Sequence, residues 1–510
     1  MIKILDAIAG AGKTHAIITR AIELACTEQR RISISLPTCA VIDEKCQDAL
    51  QLANGAVPVL KVYSGAGDDE RTVGDKLQEV FTGLNPSKGA VLFTTHKTFN
   101  DCRNWVGRQD WKFFVDEAFD PITEIKLQVP RTYNILAKHI ELVTPEGTFS
   151  EVRIAHGGRR HLELIAKGDD EGEVPFREIA CRLLDQERWT VHVKTENLRM
   201  VTSGIGRSRC ADGREKAATL TFWVEAKPWF EKEGLDVTLS SACLTDRLLY
   251  KRWRDTGTTF ESDGELAAGL RATQHNGRGL KLHCMNINSW SAYAKKGGAR
   301  YGADLDTVAT PERALEQLIA QQFADQSFIY SANDAWQNDH LFAPHGKRVK
   351  VVMHGRNDFS AYQHVAFMPS LLPVPDKFEL IRWLGHSAAD IRDEYYHSHA
   401  YQSVFRTAAR SPNRLGEVHA ILPGRLACQY IQQKAPGAEI IEHEVLPPSC
   451  PRGRPPSFKT EAERKKANSE RMWRKRNPEK HITEYGLRVP KDAIPASQAA
   501  PPVLGGPALG

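Results

Sequence analysis

The first fourteen residues of the chain join a short strand to the start of a helix across a turn of small residues. Ile2 to Leu5 is an apolar run, and apolar residues recur at helical spacing from Ile17 to Ala25. The turn between them is Ala7-Ile8-Ala9-Gly10-Ala11-Gly12-Lys13-Thr14. Small residues allow backbone N–H groups to surround phosphate oxygens, and a helix N-terminus favours an anion. The segment therefore predicts a phosphate-binding loop; the alternative is a glycine-rich turn with an exposed lysine.

Within this loop the residue types predict separate contacts to a bound nucleoside triphosphate. The backbone from Ala9 to Gly12 is expected to hold the phosphates, with Lys13 reaching the β- and γ-phosphates. The Thr14 hydroxyl is expected to bind Mg²⁺. ATP and Mg²⁺ are accordingly the predicted cofactors.

Length and composition are typical of a globular chain with more than one domain. The chain has 510 residues, of which 41% are apolar and 26% are charged, and single hydrophobic cores stop growing near about 250–300 residues. Its start lacks the features of a signal peptide, and no apolar stretch approaches about 18 residues, so a cytoplasmic protein without membrane contact is expected. The ten cysteines include no C-x-x-C pair, which argues against a structural zinc site and a disulfide framework.

Strand-like and helix-like segments alternate after the loop, which is typical of a parallel α/β sheet. Strands are predicted at residues 31–36, 57–63, 89–96 and 112–115. Pro37-Thr38 follows the first of these strands, and Thr95-His96 ends the third. Ligands of parallel sheets bind beyond the carboxyl ends of the strands, so these residues are candidates for ligand contacts.

Two adjacent carboxylates end the fourth of these strands. Asp116 and Glu117 come directly after Phe113-Phe114-Val115. At a nucleotide site Asp116 would hold Mg²⁺, directly or through water, and Glu117 would orient and deprotonate the attacking water. The alternative is a solvated acidic pair, which the phosphate-binding loop in the same chain disfavours.

A second α/β unit is predicted from Thr310, at the start of a helix. Near its end a helix is predicted over Asp390–Arg410, on which Gln402, Arg406 and Arg410 are spaced by four and share one face. Guanidinium groups that reach the γ-phosphate from a second domain stabilise the charge that develops in phosphoryl transfer. A solvated basic helix face is the alternative.

Together these segments resemble the helicase-type translocases of superfamilies 1 and 2, DEAD/DEAH-like P-loop ATPases with two RecA-like domains. Ala7–Thr14 matches motif I of that class, Pro37-Thr38 motif Ia, Thr94-Thr95-His96 motif Ic, and Asp116-Glu117-Ala118-Phe119 the DEAx box. The resemblance implies that Pro37, Thr38, Thr95 and His96 bind nucleic acid. The style of the motifs suggests a bacterial, phage or plasmid protein.

Two later segments extend the resemblance. Asp236–Ala242 resembles the strand that carries motif III, although Cys243 stands where the class has Thr. His354–Phe359 resembles motif V, in which Gly355 and Asp358 would face the nucleotide. As a pattern by itself, this second segment indicates only a turn at the end of a strand.

Gln402–Arg410 fits motif VI of the same class, which implies catalytic roles for Gln402, Arg406 and Arg410 beside Lys13 and Glu117. The expected fold class is α/β: two RecA-like domains with parallel sheets, an inserted subdomain in the first, and a basic, partly disordered C-terminal tail. The expected divisions are 1–129 and 230–250 for domain 1, 130–229 for the insert, 251–309 for a connecting region, 310–445 for domain 2 and 446–510 for the tail. Within the insert, strands are predicted at 151–155, 162–165 and 190–193, and a helix at 176–184.

Basic residues are concentrated near the C-terminus. Between Arg452 and Lys480 eleven Lys and Arg residues stand against four Glu residues, whereas the whole chain has a net charge of +5. Arg452-Gly453-Arg454-Pro455-Pro456 resembles an AT-hook core, whose arginines fit a narrow, A·T-rich minor groove. A basic helix is predicted over Thr460–Arg476, and disorder from Pro490. The tail therefore predicts contact with nucleic acid, a merely basic linker being the alternative.

The sequence thus predicts an ATP-hydrolysing helicase or translocase that moves along or unwinds nucleic acid, with DNA favoured over RNA. A packaging-type, terminase-like ATPase shares the first domain but normally needs a nuclease domain with clustered carboxylates, and the sequence has no convincing cluster downstream. An ATP-switched DNA-binding regulator would be expected to have a degraded Glu117 or to lack the arginines.

Overall fold

The computed structural model describes residues 1–64, 72–85, 88–102, 107–129, 134–168, 170–202, 218–295, 310–333, 341–351, 359–411, 413–414, 416–445, 481–482 and 488–489. Its strands up to residue 445 are β1 (Ile2–Ala7), β2 (Arg31–Leu36), β3 (Val59–Val62), β4 (Ala90–Thr95), β5 (Trp111–Asp116), β6 (Ile122–Val129), β7 (Ile140–Leu142), β8 (Phe149–Ile154), β9 (Trp189–Lys194), β10 (Ala218–Ala226), β11 (Asp236–Ala242), β12 (Phe260–Ser262), β13 (Leu280–Met285), β14 (Phe328–Ser331), β15 (Gly346–Val349), β16 (His364–Phe367), β17 (Val418–Leu422) and β18 (Glu439–His443).

The helices are α1 (Lys13–Thr27), α2 (Cys39–Ala53), α3 (Val73–Gly83), α4 (His96–Asp101), α5 (Asn134–Ala137), α6 (Arg159–Lys167), α7 (Arg177–Leu184), α8 (Thr195–Thr202), α9 (Trp229–Lys232), α10 (Leu248–Asp255), α11 (Gly264–Ala268), α12 (Ala292–Lys295), α13 (Pro311–Phe323), α14 (Pro375–Trp383), α15 (Ala388–Arg392), α16 (Ser398–Val404) and α17 (Arg425–Lys434). In the described ranges, none of these helices is both long and apolar enough to cross a membrane.

The first sheet is parallel, with the strand order β12-β1-β11-β5-β2-β4-β3. Pairing places Ala7 opposite Ala242 and Asp116 opposite Ser240. The segments that follow β1, β5 and β11 therefore leave the sheet side by side at one edge. Because parallel strands place their carboxyl ends together, this register brings the predicted phosphate-binding loop next to the predicted carboxylates.

Apolar residues on one side of α1 hold this helix against the first sheet. Ile17, Ile18 and Ala21 lie in one buried cluster with Ile34 of β2. Gly89, directly before β4, passes so close to α1 that a Cβ there would overlap the carbonyl group of Ala25. Because of this close packing, the N-terminus of α1 has a fixed position beneath the loop that precedes it.

The second sheet is also parallel, with the order β15-β14-β16-β17-β13-β18. β12 is an edge strand of the first sheet, and β13 is an interior strand of the second. Both lie within residues 251–309, which the sequence predicts to be a connecting region. Lys281 and His283 interrupt the apolar pattern of β13, which hides a strand whose remaining residues are buried.

A five-stranded antiparallel sheet, in the order β6-β10-β9-β8-β7, lies in sequence between β5 and β11 of the first sheet. The predicted fold class, two parallel sheets with an insertion in the first, is therefore confirmed. The strand predicted at 162–165 is wrong, because α6 covers these residues. Leu162 and Ile165 are buried at helical spacing, and Gly168 ends the helix with φ of +72°.

Arginines attach the insert to the first sheet's helices. Arg182 of α7 forms a bidentate ion pair with Asp101 at the end of α4, at 2.7 and 3.2 Å. The Arg188 guanidinium lies 4.0 Å from the ring centre of Trp229 and donates to the carbonyl of Cys102. These contacts fix the insert beside α4, the helix that follows β4.

The single helix predicted over Asp390–Arg410 is wrong. α15 ends at Arg392, a π-helical turn covers Asp393–His397, α16 ends at Val404, and a 3₁₀ turn covers Ala408–Arg410. Thr407 donates its hydroxyl hydrogen bond back to the carbonyl of Val404 at 2.6 Å, and the next residue bonds to a different segment, at the carbonyl of Tyr362. Both contacts end the α-helical ladder at Val404.

Little of the C-terminal tail lies within the described residues. His481–Ile482 and Arg488–Val489 form a short antiparallel pair. Arg452, Arg454 and the helix predicted over Thr460–Arg476 lie outside the described residues, so their predicted role in binding nucleic acid stays a prediction from the sequence.

Acid unfolding tests a buried charge cluster that joins the insert to α10. Burial alone would raise the pKa of Glu225, but hydrogen bonds from His192 and Arg252 lower it from 4.5 to about 2. The resulting stabilisation, about 3 kcal/mol when Glu225 is ionised, is present above about pH 4.5 and is lost as the pH falls toward 2. The difference in free energy of unfolding between the wild type and Glu225→Gln should therefore shrink between about pH 6 and about pH 3.

Glu163→Gln is the matched control, since Glu163 lies on the exposed face of α6 and pairs only with Arg159 among the described residues. The free energy of unfolding of this variant should differ from that of the wild type by a small and constant amount over the same pH range. A Glu225→Gln difference that does not change with pH would contradict this account of the cluster.

Candidate active site

The loop between β1 and α1 forms a tight turn. Gly10 and Gly12 have φ of +78° and +89°, a region that favours glycine. Lys13 opens α1 and is only 7% exposed, and its ammonium group donates to the carbonyl of Ile8 across the loop at 3.3 Å. The lysine is therefore enclosed by the loop that it is predicted to serve.

A hydroxyl and a carboxylate meet directly behind the loop. The Thr14 hydroxyl donates to Asp116 Oδ2 at 2.5 Å. Asp116 Oδ1 is buried and has no hydrogen-bond partner among the described residues. Burial raises the pKa of Asp116 and Glu117 raises it further, whereas Lys13 and Thr14 act in the opposite direction. A hydroxyl beside a buried carboxylate with an unpartnered oxygen fits Mg²⁺, which binds through few protein oxygens when it also binds phosphates.

Glu117 has a backbone conformation that only a few non-glycine residues adopt. Its φ is +68°, in the left-handed region, where a non-glycine residue costs about 1–3 kcal/mol. The Ser241 hydroxyl, on the neighbouring strand β11, donates to Glu117 Oε2 at 3.3 Å. The strand segment that resembles motif III thus contacts the second of the two predicted carboxylates through Ser241, although Cys243 stands where the resembled class has Thr.

Three predicted catalytic residues from the half of the chain that contains the second sheet lie beside the phosphate-binding loop. Gln402 lies on α16, Arg406 in the turn after it, and Arg410 in the following 3₁₀ turn. All three line a cavity of about 260 Å³ together with the loop and Glu117. The structure therefore brings the predicted catalytic residues together, although they do not share one helix face.

The cavity contains more cations than carboxylates near the loop. Burial lowers the pKa of Arg406 while Glu117 raises it, and burial together with a neighbouring arginine, Arg271, lowers the pKa of Arg410. Like charges this close are unfavourable unless an anion lies between them. With Lys13 and its three arginines, the cavity is suited to a polyanion such as a triphosphate.

The side chain of Arg410 passes directly over the loop. A Cβ on Gly10 would lie 2.7 Å from both Cγ and Nε of Arg410. No side chain larger than hydrogen fits at Gly10 while Arg410 keeps this position. The small residues of the loop thus serve two purposes, since they admit phosphates and also admit an arginine from the second sheet.

A hydrogen-bond chain joins the loop to α16. The backbone N–H of Ala9 donates to the Tyr401 hydroxyl at 2.9 Å, and that hydroxyl lies 2.8 Å from His275 Nε2. Burial, with Lys13 and Arg414, lowers the pKa of His275 to about 4, so a neutral imidazole accepts the hydroxyl hydrogen. Tyr401 thus connects the loop to the helix that carries Gln402.

Sequence reasoning missed Arg271, His275 and Tyr401. None belongs to a motif, and nothing in local spacing marks them, because each contacts the loop only through the folded chain. The adjacency of Tyr401 to Gln402 is the one signal in the sequence that places it near the site.

Two further contacts tie the site's strands to helices of the second half. Asp120, three residues after Glu117, accepts from Lys377 at 2.8 Å and from the Tyr395 hydroxyl at 2.9 Å. Arg247, after β11, forms a buried bidentate pair with Glu394 at 2.6 and 3.0 Å. The predicted site therefore lies in a cleft whose two walls are joined by a buried ion pair and by the partly buried contacts of Asp120.

The predicted nucleic-acid residues of the first sheet have local contacts. The Thr38 hydroxyl accepts from the N–H of Val41 and caps α2, directly after Pro37, and Thr95 caps α4 in the same way. His96 Nε2 donates to the carbonyl of Asp116 at 2.9 Å. Their predicted binding of nucleic acid is untested by these contacts. Gly355 and Asp358 lie outside the described residues.

No protein-family model and no curated protein matches this chain. Among solved structures, it is similar to a chain described as XPD helicase, at 10% identity and a TM-score of 0.44, over 87% of this chain and 96% of that one. S. tokodaii Xpd4 is similar at 12% identity and 0.41, over 87% and 96%.

The DEAD-box helicase Mss116, described as bound to ssRNA and UDP-BeF, is similar at 12% identity and a TM-score of 0.36, over 87% of this chain and 71% of that one. The first and third of these structures are described as helicases, the class that the motifs resemble. At such identities and TM-scores the similarities do not establish what this chain does.

Substituting Gly10 tests the close approach of Arg410. Gly10→Ala should cost more stability than Gly55→Ala, because both residues have φ of +78° but only Gly10 has a neighbour within 4 Å of the added Cβ. The shared backbone cost is about 1–2 kcal/mol, so the excess at Gly10 measures the clash. Chemical unfolding of both variants supplies the two values.

A double substitution assigns the excess to its cause. Adding Arg410→Ala should relieve the Gly10→Ala excess and leave the Gly55→Ala cost unchanged. Equal costs at the two glycines, or an excess that persists without the Arg410 side chain, would show that Arg410 does not lie over the loop.

Proposed function

We propose that this protein is an ATP-dependent helicase or translocase that acts on nucleic acid, with DNA as the favoured track. One observation carries the proposal: Lys13, Thr14 and Glu117 of the first sheet's half line one cleft with arginines of the second. Asp116 lies directly behind the loop, where it accepts from the Thr14 hydroxyl. A phosphate site closed by cations from a second unit is the arrangement by which hydrolysis becomes dependent on the relative position of two bodies.

In the proposed reaction, the loop amides and Lys13 bind the phosphates of ATP, and Glu117 orients and deprotonates the attacking water. Arg406 and Arg410 stabilise the negative charge that develops on the transferred phosphoryl group. Mg²⁺, bound through Thr14 and Asp116, would neutralise phosphate charge. Ser241 keeps the Glu117 carboxylate directed into the cleft.

Movement along nucleic acid would follow from changes in the electrostatic interactions between the two walls of the cleft. Loss of the γ-phosphate removes the anion that holds the arginines near Lys13, so repulsion among the cations favours opening of the cleft. Alternate closing and opening would step two nucleic-acid-binding surfaces along a strand. The choice of DNA is supported by the sequence of the basic tail.

ATP turnover, measured with and without single-stranded DNA, single-stranded RNA and duplex DNA, tests this function. We expect stimulation by nucleic acid and a loss of at least about 100-fold in kcat for Glu117→Gln, which removes a general base. Glu146→Gln, a substitution of the same kind at a side chain that is 91% exposed, should behave as the wild type. Unstimulated turnover that survives Glu117→Gln would contradict a motor, and nucleotide binding without turnover would favour an ATP-switched regulator.

Strand displacement separates the two kinds of motor. Displacement of a labelled strand from a partial duplex identifies a helicase, whereas ATP turnover and displacement of a bound protein without strand separation identify a translocase. Cleavage of the DNA by the purified protein would instead favour the packaging-type ATPase.

Removing the tail tests the proposed DNA contact. A chain that ends at Pro448 loses every Lys and Arg between Arg452 and Lys480, eleven in all. Its DNA affinity should fall, and the logarithm of its binding constant should depend less steeply on the logarithm of salt concentration, because fewer counterions are released. Unchanged affinity and slope would show that the tail is only a linker.

A further inference from the structure

A third arginine enters the cleft from the connection between the two sheets, outside every motif of the sequence. Arg271 follows α11, the helix after β12. Its backbone N–H donates to the carbonyl of Ala11 in the phosphate-binding loop at 2.8 Å. The segment around Arg271 is therefore bonded to the loop itself.

The side chain of Arg271 lies along the turn of the loop. A Cβ on Gly12 would lie 3.3 Å from both Cγ and Cδ of Arg271. Arg271 lines the same cavity as Lys13, Arg406 and Arg410. Among the described residues its guanidinium has no carboxylate partner, so its charge is directed toward a cavity that already holds cations.

Arg271 belongs to the first sheet, unlike the two predicted arginines. β12 pairs with β1, and Leu266 of α11 lies in the buried cluster beneath α1. A Cβ on Gly269 would lie 3.3 Å from the Cβ of Ala16, and Glu265 pairs with Arg20 at 2.5 Å. These contacts hold Arg271 in place relative to the loop whether or not the second sheet approaches.

We propose that Arg271 is a nucleotide-binding residue that contacts phosphates retained in both ATP and ADP. This proposal rests on the proposed function of the cleft and adds a residue to it. A guanidinium offers paired N–H donors that match two phosphate oxygens. Because Arg271 moves with the loop, it binds substrate and transition state alike, and such uniform binding changes KM and leaves kcat unaffected.

Arg271→Ala tests the assignment by separating binding from turnover. The dissociation constants of Mg-ATP and Mg-ADP, measured by calorimetry, should both rise by about 10- to 100-fold, as for a lost hydrogen bond to a charged group. KM for ATP should rise similarly, and kcat should stay within about twofold. Arg271→Lys, which keeps the charge but not the paired donors, should fall between the wild type and Arg271→Ala.

Two further variants make every outcome decisive. Arg159→Ala, on the exposed face of α6, is the matched control and should bind both nucleotides as the wild type does. Lys13→Ala tests the proposed function on its own, since it should abolish nucleotide binding. If Lys13→Ala abolishes binding and Arg271→Ala leaves both dissociation constants unchanged, the Arg271 assignment is overturned and the proposed function stands.

A lower kcat in Arg271→Ala with unchanged dissociation constants would also overturn the assignment, because Arg271 would then act on the transition state only. A higher dissociation constant for Mg-ATP with an unchanged one for Mg-ADP would also overturn the assignment, since it would place the contact on the γ-phosphate. If the wild-type protein binds neither nucleotide, the proposed function itself fails, and the Arg271 assignment fails with it.

Discussion

The buried ion pair between Arg247 and Glu394 is the interaction on which the geometry of the cleft depends. Their side chains are 7% and 4% exposed, and the Glu394 carboxylate also accepts from the backbone N–H of Leu248 at 2.7 Å. Two charges removed from water in this way are tolerated only as a well-bonded pair, and removing either partner costs about 3–5 kcal/mol. The pair therefore stabilises the arrangement in which the strand that carries Ser241 lies against the π-helical turn before α16.

That constraint brings together groups that would otherwise repel. Lys13, Arg406 and Arg410 approach one another near the loop, and Glu117 has a strained left-handed backbone. Such costs are typical of sites prepared for a ligand that relieves them. In the proposed function a triphosphate would supply the missing negative charge. The hydrogen bond from Ser241 would then hold the Glu117 carboxylate toward the attacking water.

The parts of the site that the sequence predicted are those encoded by neighbouring residues. The loop from Ala7 to Thr14 and the pair Asp116-Glu117 follow strands whose apolar patterns are plain, and parallel pairing then places them together. The helix predicted through Arg410 failed because its end is set by contacts of Thr407 and of the residue after it, the latter with a different segment.

Arg271 and Tyr401 also depend on contacts between distant segments, and for this reason the sequence did not predict them. Each reaches the loop through tertiary contacts: one through the packing of α11 on α1, the other through a hydrogen bond from Ala9. β13 was missed because polar residues on one face, Lys281 and His283, disguise a buried strand. Local pattern thus predicts the first wall of the cleft well, and the second wall only in outline.

ATP turnover is proposed to need a cation from the second sheet, and the Arg406→Gln variant tests this requirement. Steady-state ATP hydrolysis by this variant, with its unfolding midpoint measured alongside, should show a kcat lower by about 1,000-fold or more and a KM within a fewfold of the wild type. A folded Arg406→Gln protein that hydrolyses ATP at the wild-type rate, while Glu117→Gln is inactive, would show that the first sheet hydrolyses ATP without the second.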